Sequence, residues 1–246
     1  MRELGSAQIH LWQYSIGDPP DSRHLAHAMA LLSPAEKRRC AAFHFDKHRT
    51  EYLLSHAMLR LALSEYAPVK PEEWEFSSGT WGKPEIGVPA LDMPLWFNLS
   101  HTEAFAVCVV GRVPHLGVDV ENLNRRVACD SLAKRFFAAP EYEYLRGLPP
   151  GLQREGFFRI WTLKEAYIKA QGKGLSIPLD SFHFRFSPET PAKVVLYATA
   201  ESTPAQWSFF EFRPCLDYRV SIGVRNTGHG GFKVQCLDAA ILFNSL

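Results

Sequence analysis

The run LGVDVE at residues 116–121 constrains the fold of this chain most. Its alternation predicts a β-strand with the apolar residues 116, 118 and 120 on one face. Asp119 and Glu121 share the other face, roughly 7 Å apart along the backbone, where their repulsion is about 2–3 kcal/mol at an effective dielectric of about 20. A fully hydrated face tolerates this repulsion, and a hard divalent cation between the carboxylates removes it. Mg²⁺ typically takes one or two carboxylates together with substrate phosphates.

The composition limits the classes of protein to which this chain can belong. The 246 residues are 46% hydrophobic, which is enough for one large domain or two smaller ones. The formal net charge of +1 disfavours nucleic-acid binding. The five cysteines are scattered without a C-x-x-C pair, so we expect no disulfide framework and no zinc site. We find no secretory signal pattern and no apolar stretch of the ~18 residues a membrane helix needs. These features predict a soluble cytoplasmic protein with no membrane partner.

Helical and strand patterns occur in both halves of the chain. We expect longer helices at about 22–32, 34–45, 47–66, 125–137 and 153–171, and a short one from 140. We expect strands at about 9–14, 74–77, 95–99, 104–110, 116–121, 182–186, 193–198, 207–212, 218–224 and 232–237, and a turn at 81–84. A soft boundary near residue 114 predicts an α+β fold of two halves, 1–114 and 115–246, with a cleft between them.

The predicted helix 153–171 carries charges where apolar residues are expected. On a helical wheel Lys164 falls inside the apolar stripe, while Glu165 lies at its edge and Lys169 one turn further on the same side. One interpretation is a surface Glu165–Lys169 pair, with the Lys164 stem extended past its apolar neighbours. The other directs all three charges at a charged ligand in the cleft, because burying an unpaired charge is costly.

Two further segments could contribute to a site. Ser100 and His101 end a predicted strand, where ligands often bind. A hydrogen-bonded turn with a structural histidine also explains them. Lys83 and Pro84 follow Gly82 in a tight turn that is either an ordinary surface turn or a phosphate contact. The basic clusters 37–39 and 47–49 are typical of solvated helix faces and could also bind phosphate.

Taken together and in order, these motifs resemble a known family. The segments GKP (82–84), FNLSHT (97–102), GVDVE (117–121), RFF (135–137) with Glu141, WTLKEAYIK (161–169) and GKGLSIPL (172–179) are similar to those of the 4′-phosphopantetheinyl transferases of the Sfp (surfactin-synthetase-activating) type. The resemblance is strong over residues 33–185. It implies a pseudo-twofold α+β fold and transfer of phosphopantetheine from coenzyme A to a serine of an apo acyl or peptidyl carrier protein, with release of adenosine 3′,5′-bisphosphate.

The resemblance also implies roles for individual residues. Asp119, Glu121 and Glu165 match the Mg²⁺ ligands, with Mn²⁺ able to substitute, and Glu165 is our candidate general base. Lys169 matches the pyrophosphate lysine that assists the leaving group. The remaining matches are to coenzyme A contacts: Arg49, Thr50, Lys83, Pro84, Ser100, His101 and Lys164. His101 is also a catalytic candidate. The N-terminal half would hold the nucleotide end, and the C-terminal half the metal strand, the WTLKE helix and the carrier-docking surface.

Two positions depart from this pattern or extend it. The family often has a lysine where this chain has Glu36, so the 3′-phosphate contact could pass to Lys37 or Arg39. Glu141 is a candidate to reach the metal through water.

The acidic carrier is expected to dock near residues 123–137, which are rich in basic and apolar side chains. With two halves in one chain, a monomer suffices.

Two other functions fit the same residues. A Mg²⁺-dependent phosphodiester hydrolase would use the same carboxylates with water as the attacking group. A catalytically inactive relative would bind carrier proteins without modifying them. The sequence does not identify the carrier or its pathway.

Overall fold

The computed structural model describes residues 1–17, 21–186, 194–198, 206–226, 228 and 231–244. The chain divides into two compact units. The first comprises residues 1–79, 84–114 and 232–246, and the second comprises residues 80–83 and 115–231. Both units combine helices with antiparallel or mixed sheet. The predicted α+β class, with helices and strands in each half, is therefore confirmed.

The elements of the first unit are α1 (Ser22–Leu31), α2 (Pro34–Ala41), α3 (Asp46–Ser64), α7 (Ala240–Asn244), β1 (Gln8–Ser15), β2 (Glu75–Ser78), β3 (Pro84–Val88), β4 (Trp96–Thr102), β5 (Phe105–Gly111), β11 (Lys233–Asp238) and the 3₁₀ turn Pro71–Glu73. Four of the strands form a sheet in the order β11-β1-β5-β4. The inner strand β5 is buried along its whole length, as its apolar run requires. The buried side of the helix α3 contributes much of the core of this unit.

The elements of the second unit are β6 (Leu116–Asn122), α4 (Cys129–Phe136), α5 (Ala139–Gly147), α6 (Pro150–Gln171), β7 (Phe182–Phe186), β8 (Val194–Ala198), β9 (Trp207–Phe212), β10 (Tyr218–Arg225) and the 3₁₀ turns Gly174–Ser176 and Leu179–Ser181. Three of the strands form an antiparallel sheet in the order β6-β10-β9, against which the long helix α6 packs. Strands β7 and β8 pair separately and antiparallel. Residue 193, the first of the strand predicted at 193–198, lies outside the described residues.

The units differ from the predicted halves 1–114 and 115–246 at two places. Strand β11 pairs in parallel with β1, from Gln8 opposite Lys233 to Gln13 opposite Asp238, so the end of the chain belongs to the first unit. Residues 80–83 belong to the second unit, since Lys83 Nζ donates to the carbonyls of Leu116 and Ala170. Neither the strand β3 nor the helix α7 was predicted, because both are short and lack a long periodic pattern.

The ends of the helices follow from local sequence. Ser33 caps α2 through a reciprocal pair of hydrogen bonds with Glu36, and Pro34 occupies the first turn. Helix α6 ends at Gly172, whose φ of +69° places it in the left-handed region that glycine adopts readily. No helix of the described residues combines the length and apolar character needed to cross a membrane.

Candidate active site

A pair of glycines lets helix α6 lie directly on the sheet of the second unit. Gly117 on β6 pairs with Gly223 on β10. A Cβ atom on Gly117 would stand 2.3 Å from the carbonyl oxygen of Ala166 and 2.4 Å from the amide nitrogen of Ala170, so no larger residue fits. The hydroxyls of Thr162 and Ser221, 2.8 Å apart, link helix and sheet beside this contact. The close approach brings the charged edge of α6 to the face of β6 that carries the acidic residues.

The two acidic residues of β6 are buried and face cations of the same unit. Asp119 is 5% exposed, and its Oδ1 lies 2.6 Å from Lys169 Nζ on α6. Glu121 is 8% exposed, and its two carboxylate oxygens lie 3.3 and 3.2 Å from Arg125 Nη1. Burial raises the pKa of Glu121, and the charge of Asp119 raises it further. The two carboxylates share one face of the strand, as the alternation in the sequence predicts, and the structure shows that this face is poorly hydrated.

Glu165 is the third carboxylate of this group. Burial raises its pKa to about 7, the charges of Asp119 and Glu121 add to the shift, and Lys169 opposes it. The structure thus brings Asp119, Glu121, Glu165 and Lys169 into one electrostatic environment. Lys169 Nζ contacts Asp119, and its charge also acts on Glu165, so Lys169 faces the acidic strand β6 as well as its own helix. Within the described part of the chain, no three His, Cys, Asp or Glu side chains already lie close enough together to hold a metal ion.

Lys164 and Glu141 form a buried ion pair instead of contacting a ligand. Both side chains are 0% exposed, and Lys164 Nζ lies 2.7 Å from Glu141 Oε2. Lys164 also donates to the carbonyls of Leu179 and Phe182, each at 2.7 Å. Glu141 accepts from the amides of Ala138 and Phe184. The structure corrects two predictions: Lys164 is not placed to contact coenzyme A, and Glu141 is not placed to reach a metal through water.

Lys83 also has a structural position. Its Nζ donates to Leu116 O at 3.0 Å and to Ala170 O at 3.4 Å, at the start of β6 and in the last turn of α6. A cation at the end of a helix satisfies carbonyls that have no partner within the helix and complements the helix dipole. The Lys83 ammonium group thus ties β6 to α6, and the contact of Lys83 with the nucleotide end of coenzyme A stays a prediction.

The remaining predicted coenzyme A residues lie in the first unit. Arg49 and Thr50 are in the first turns of α3, where Arg49 Nη1 lies 2.5 Å from Asp46 Oδ1. Ser100 and His101 are on β4, with Ser100 buried and His101 exposed. Pro84 opens β3 and is exposed.

Glu36, which stands where the family often has lysine, makes structural contacts within the first unit. Its Oε2 lies 2.5 Å from Arg60 Nη2, and Arg60 is 1% exposed. The same carboxylate closes the cap of α2 through Ser33. These contacts supply a structural reason for a glutamate at this position.

Sequence reasoning missed His56 on α3. Its ring stacks on Tyr52, with ring centroids 3.8 Å apart, and burial lowers its pKa to about 4. The charge of His101 contributes to this lowering, so α3 and β4 share one environment within the first unit. The spacing of four residues between Tyr52 and His56 places them on one helix face, but it does not by itself indicate the depth of burial.

The chain matches two family models that together span most of its length. Residues 115–223 match the model of the 4′-phosphopantetheinyl transferase superfamily, and residues 18–112 match the model described as 4′-phosphopantetheinyl transferase, N-terminal. The chain is 38% identical over 225 residues to the 4′-phosphopantetheinyl transferase HetI of Nostoc sp., which covers 92% of this chain and 91% of HetI. It is 33% identical over 171 residues to the 4′-phosphopantetheinyl transferase Sfp of Bacillus subtilis, covering 68% and 72% of the two chains.

One solved structure with a partial similarity is a holo-(acyl-carrier-protein) synthase from Bacillus anthracis in complex with CoA (3′,5′-ADP). The two chains are 21% identical with a TM-score of 0.40, over 46% of this chain and 96% of the synthase.

Proposed function

The chain belongs to the 4′-phosphopantetheinyl transferases, and we propose that a divalent cation, Mg²⁺ or Mn²⁺, held by Asp119, Glu121 and Glu165 assists its transfer of phosphopantetheine from coenzyme A to a carrier-protein serine. The observation that carries this proposal is the electrostatic coupling of the three carboxylates. Burial, together with the charges of Asp119 and Glu121, raises the pKa of the third carboxylate, Glu165, to about 7. A fold that concentrates like charges in a poorly hydrated place is a candidate cation site.

The residues present fit such a cation. All three candidate ligands offer carboxylate oxygens, which are the hard donors that Mg²⁺ prefers. Two of the carboxylates already face positive charges, Lys169 at Asp119 and Arg125 at Glu121, so this face favours cations in the metal-free protein. When bound, the cation would neutralise charge on the phosphate that is transferred.

The side chains around the carboxylates suggest how the transfer proceeds. Glu165 is our candidate to accept the proton of the attacking serine hydroxyl, directly or through water. Lys169 is held 2.6 Å from Asp119 and is the nearest cation described for that carboxylate. We assign Lys169 to the leaving adenosine bisphosphate, which it would stabilise or protonate as the bond to phosphorus breaks.

The nucleotide end of coenzyme A is proposed to bind the first unit through Arg49, Thr50, Pro84, Ser100 and His101. His101 is exposed and therefore available to a ligand, and it remains a catalytic candidate. Because Glu36 is occupied by Arg60, the 3′-phosphate contact falls to Lys37 or Arg39.

The carrier protein is proposed to dock on residues 123–137. Arg125, Arg126, Lys134 and Arg135 are exposed there and match an acidic partner. We also propose that the protein acts in the cytoplasm as a monomer. All five cysteines are free, including the exposed Cys215 and Cys236, as a reducing compartment permits.

The test is the transfer reaction itself. Wild-type protein, an apo carrier protein, coenzyme A and Mg²⁺ should give a carrier heavier by one phosphopantetheinyl group. Asp119→Asn should lower the rate by about 100-fold or more, while Asp92→Asn, at an exposed loop position, should retain it. A wild-type turnover rate in Asp119→Asn would contradict a role for Asp119 in holding a metal needed for transfer. Release of adenosine 3′,5′-bisphosphate without a carrier would indicate a hydrolase, and an unmodified carrier that binds tightly would indicate an inactive relative.

A further inference from the structure

The segment that follows β6 has a fixed backbone. Arg154 on α6 donates through Nε to the carbonyl of Leu123 at 2.6 Å, and through Nη2 to the carbonyl of Arg125. The amide of Leu123 donates to Asp217 O at 2.7 Å. The guanidinium of Arg154 is itself held over the ring of Phe158, 5.2 Å from the centroid. A change at this segment is therefore expected in side chains rather than in the main chain.

The side chain of Arg125 is held by Glu121. Its Nη1 lies within 3.3 Å of both carboxylate oxygens. The Arg125 side chain is 51% exposed, whereas that of Glu121 is 10% exposed. Among the described residues, Glu121 is the acidic group with which Arg125 pairs. A half-exposed pair of this kind is weak, so a competing cation can separate it.

A divalent cation and Arg125 would compete for the same oxygen atoms. Glu121 is one of the three proposed ligands, and a metal bound to it would both occupy its oxygens and repel the guanidinium. The long Arg125 side chain would then turn into solvent from a backbone that Arg154 keeps in place. There it would join the exposed Arg126, Lys134 and Arg135.

We propose that Arg125 links metal binding to carrier docking: it occupies Glu121 in the metal-free protein and becomes a contact for the acidic carrier when the metal displaces it. This inference rests on the proposed function, since it requires the metal at Glu121 and an acidic partner on residues 123–137. By linkage, the metal strengthens carrier binding by the same factor by which the carrier strengthens metal binding. The strength of an exposed ion pair sets this factor at about 2- to 5-fold.

The first experiment uses Mn²⁺ alone, with its binding followed by electron paramagnetic resonance. Arg125→Gln removes the competing cation, so its affinity for Mn²⁺ should exceed that of wild type by about 2- to 5-fold. The matched control Arg126→Gln changes the neighbouring exposed arginine and should bind Mn²⁺ as wild type does. Equal affinities in Arg125→Gln and wild type would overturn the inference.

The second experiment measures binding of a carrier that cannot be modified. The carrier is one that wild-type protein modifies, in its apo form with the acceptor serine replaced by alanine, and coenzyme A is omitted. At constant ionic strength, saturating Mg²⁺ should tighten carrier binding to wild type and to Arg126→Gln, but not to Arg125→Gln. Mg²⁺ could still tighten carrier binding to Arg125→Gln, or it could fail to tighten carrier binding to a wild-type protein that binds Mn²⁺. Either result would overturn the role of Arg125 but leave the proposed metal site intact. If wild type binds no Mn²⁺, the inference and the proposed metal site fail together.

Discussion

Replacing Glu165 with glutamine should stabilise the metal-free protein at alkaline pH. The carboxylate of Glu165 is held near Asp119 and Glu121, and burial with these charges raises its pKa from 4.5 to about 7. Between these two pH values the folded protein retains a proton that the unfolded chain has released. The free energy of unfolding therefore falls as the pH rises through this window. Glutamine has the shape of the protonated side chain without its titration.

The size of the effect follows from the same two pKa values. One tenfold step in proton affinity is worth about 1.4 kcal/mol, so the charged Glu165 costs the fold about 3 kcal/mol at pH 8 and less than about 1 kcal/mol at pH 5. Glu165→Gln should thus gain about 2–3 kcal/mol more over wild type at pH 8 than at pH 5. The gain comes first from removing a buried charge and then from relieving its repulsion by Asp119 and Glu121, which the proposed metal would otherwise neutralise.

The assay is urea unfolding of wild type and Glu165→Gln at both pH values, with a chelator present. Glu143→Gln, at an exposed position on α5, is the matched control and should follow wild type at both pH values. A stability difference between Glu165→Gln and wild type that is the same at pH 5 and pH 8 would show that Glu165 does not titrate with a raised pKa in the folded protein. Addition of Mg²⁺ should then stabilise wild type more than Glu165→Gln.

Two further substitutions, followed by urea unfolding, test the contact between α6 and the sheet and the buried Lys164–Glu141 ion pair. Gly117→Ala should lower the free energy of unfolding by at least about 2 kcal/mol, because its Cβ would overlap the backbone of α6; Gly151→Ala, on the same helix with open space around it, should change it by less than about 1 kcal/mol. A Gly117→Ala protein as stable as Gly151→Ala would contradict the close helix approach. Lys164→Met should cost about 3–5 kcal/mol, since it leaves Glu141 charged and buried without its cation. Combining it with Glu141→Gln should recover part of that loss, and a double variant less stable than Lys164→Met would contradict the pairing.

Local patterns predicted the parts of the site that depend on one element at a time. The alternation at residues 116–121 placed Asp119 and Glu121 on one strand face, and the structure has them so. The helix around Glu165 was predicted to within a few residues at its start, and its end at Gln171 agrees. Periodicity reports which residues share a face, and these predictions need nothing more.

The rest depends on pairs that lie far apart in the chain. Lys164 appeared misplaced on its helical wheel because its partner Glu141 lies on another helix and its carbonyl acceptors follow the end of α6. Likewise, the pairing of β11 with β1 joins the two ends of the chain in parallel. Neither the Lys164–Glu141 pair nor the pairing of β1 with β11 can be recognised from the residues next to it in the sequence. The contacts of Lys83 could not be predicted for the same reason. An ammonium group donates equally to a phosphate and to a pair of backbone carbonyl oxygens, and the sequence does not show which of these acceptors lies near it.

We propose that Asp119, Glu121 and Glu165 together hold one divalent cation. The number of Mn²⁺ ions bound per chain can be measured by electron paramagnetic resonance at neutral pH on wild type, Asp119→Asn and Asp92→Asn. Wild type and Asp92→Asn should each bind one saturable ion, and Asp119→Asn should lose most of that binding. Equal binding in Asp119→Asn and wild type would show that Asp119 is not a ligand of the ion.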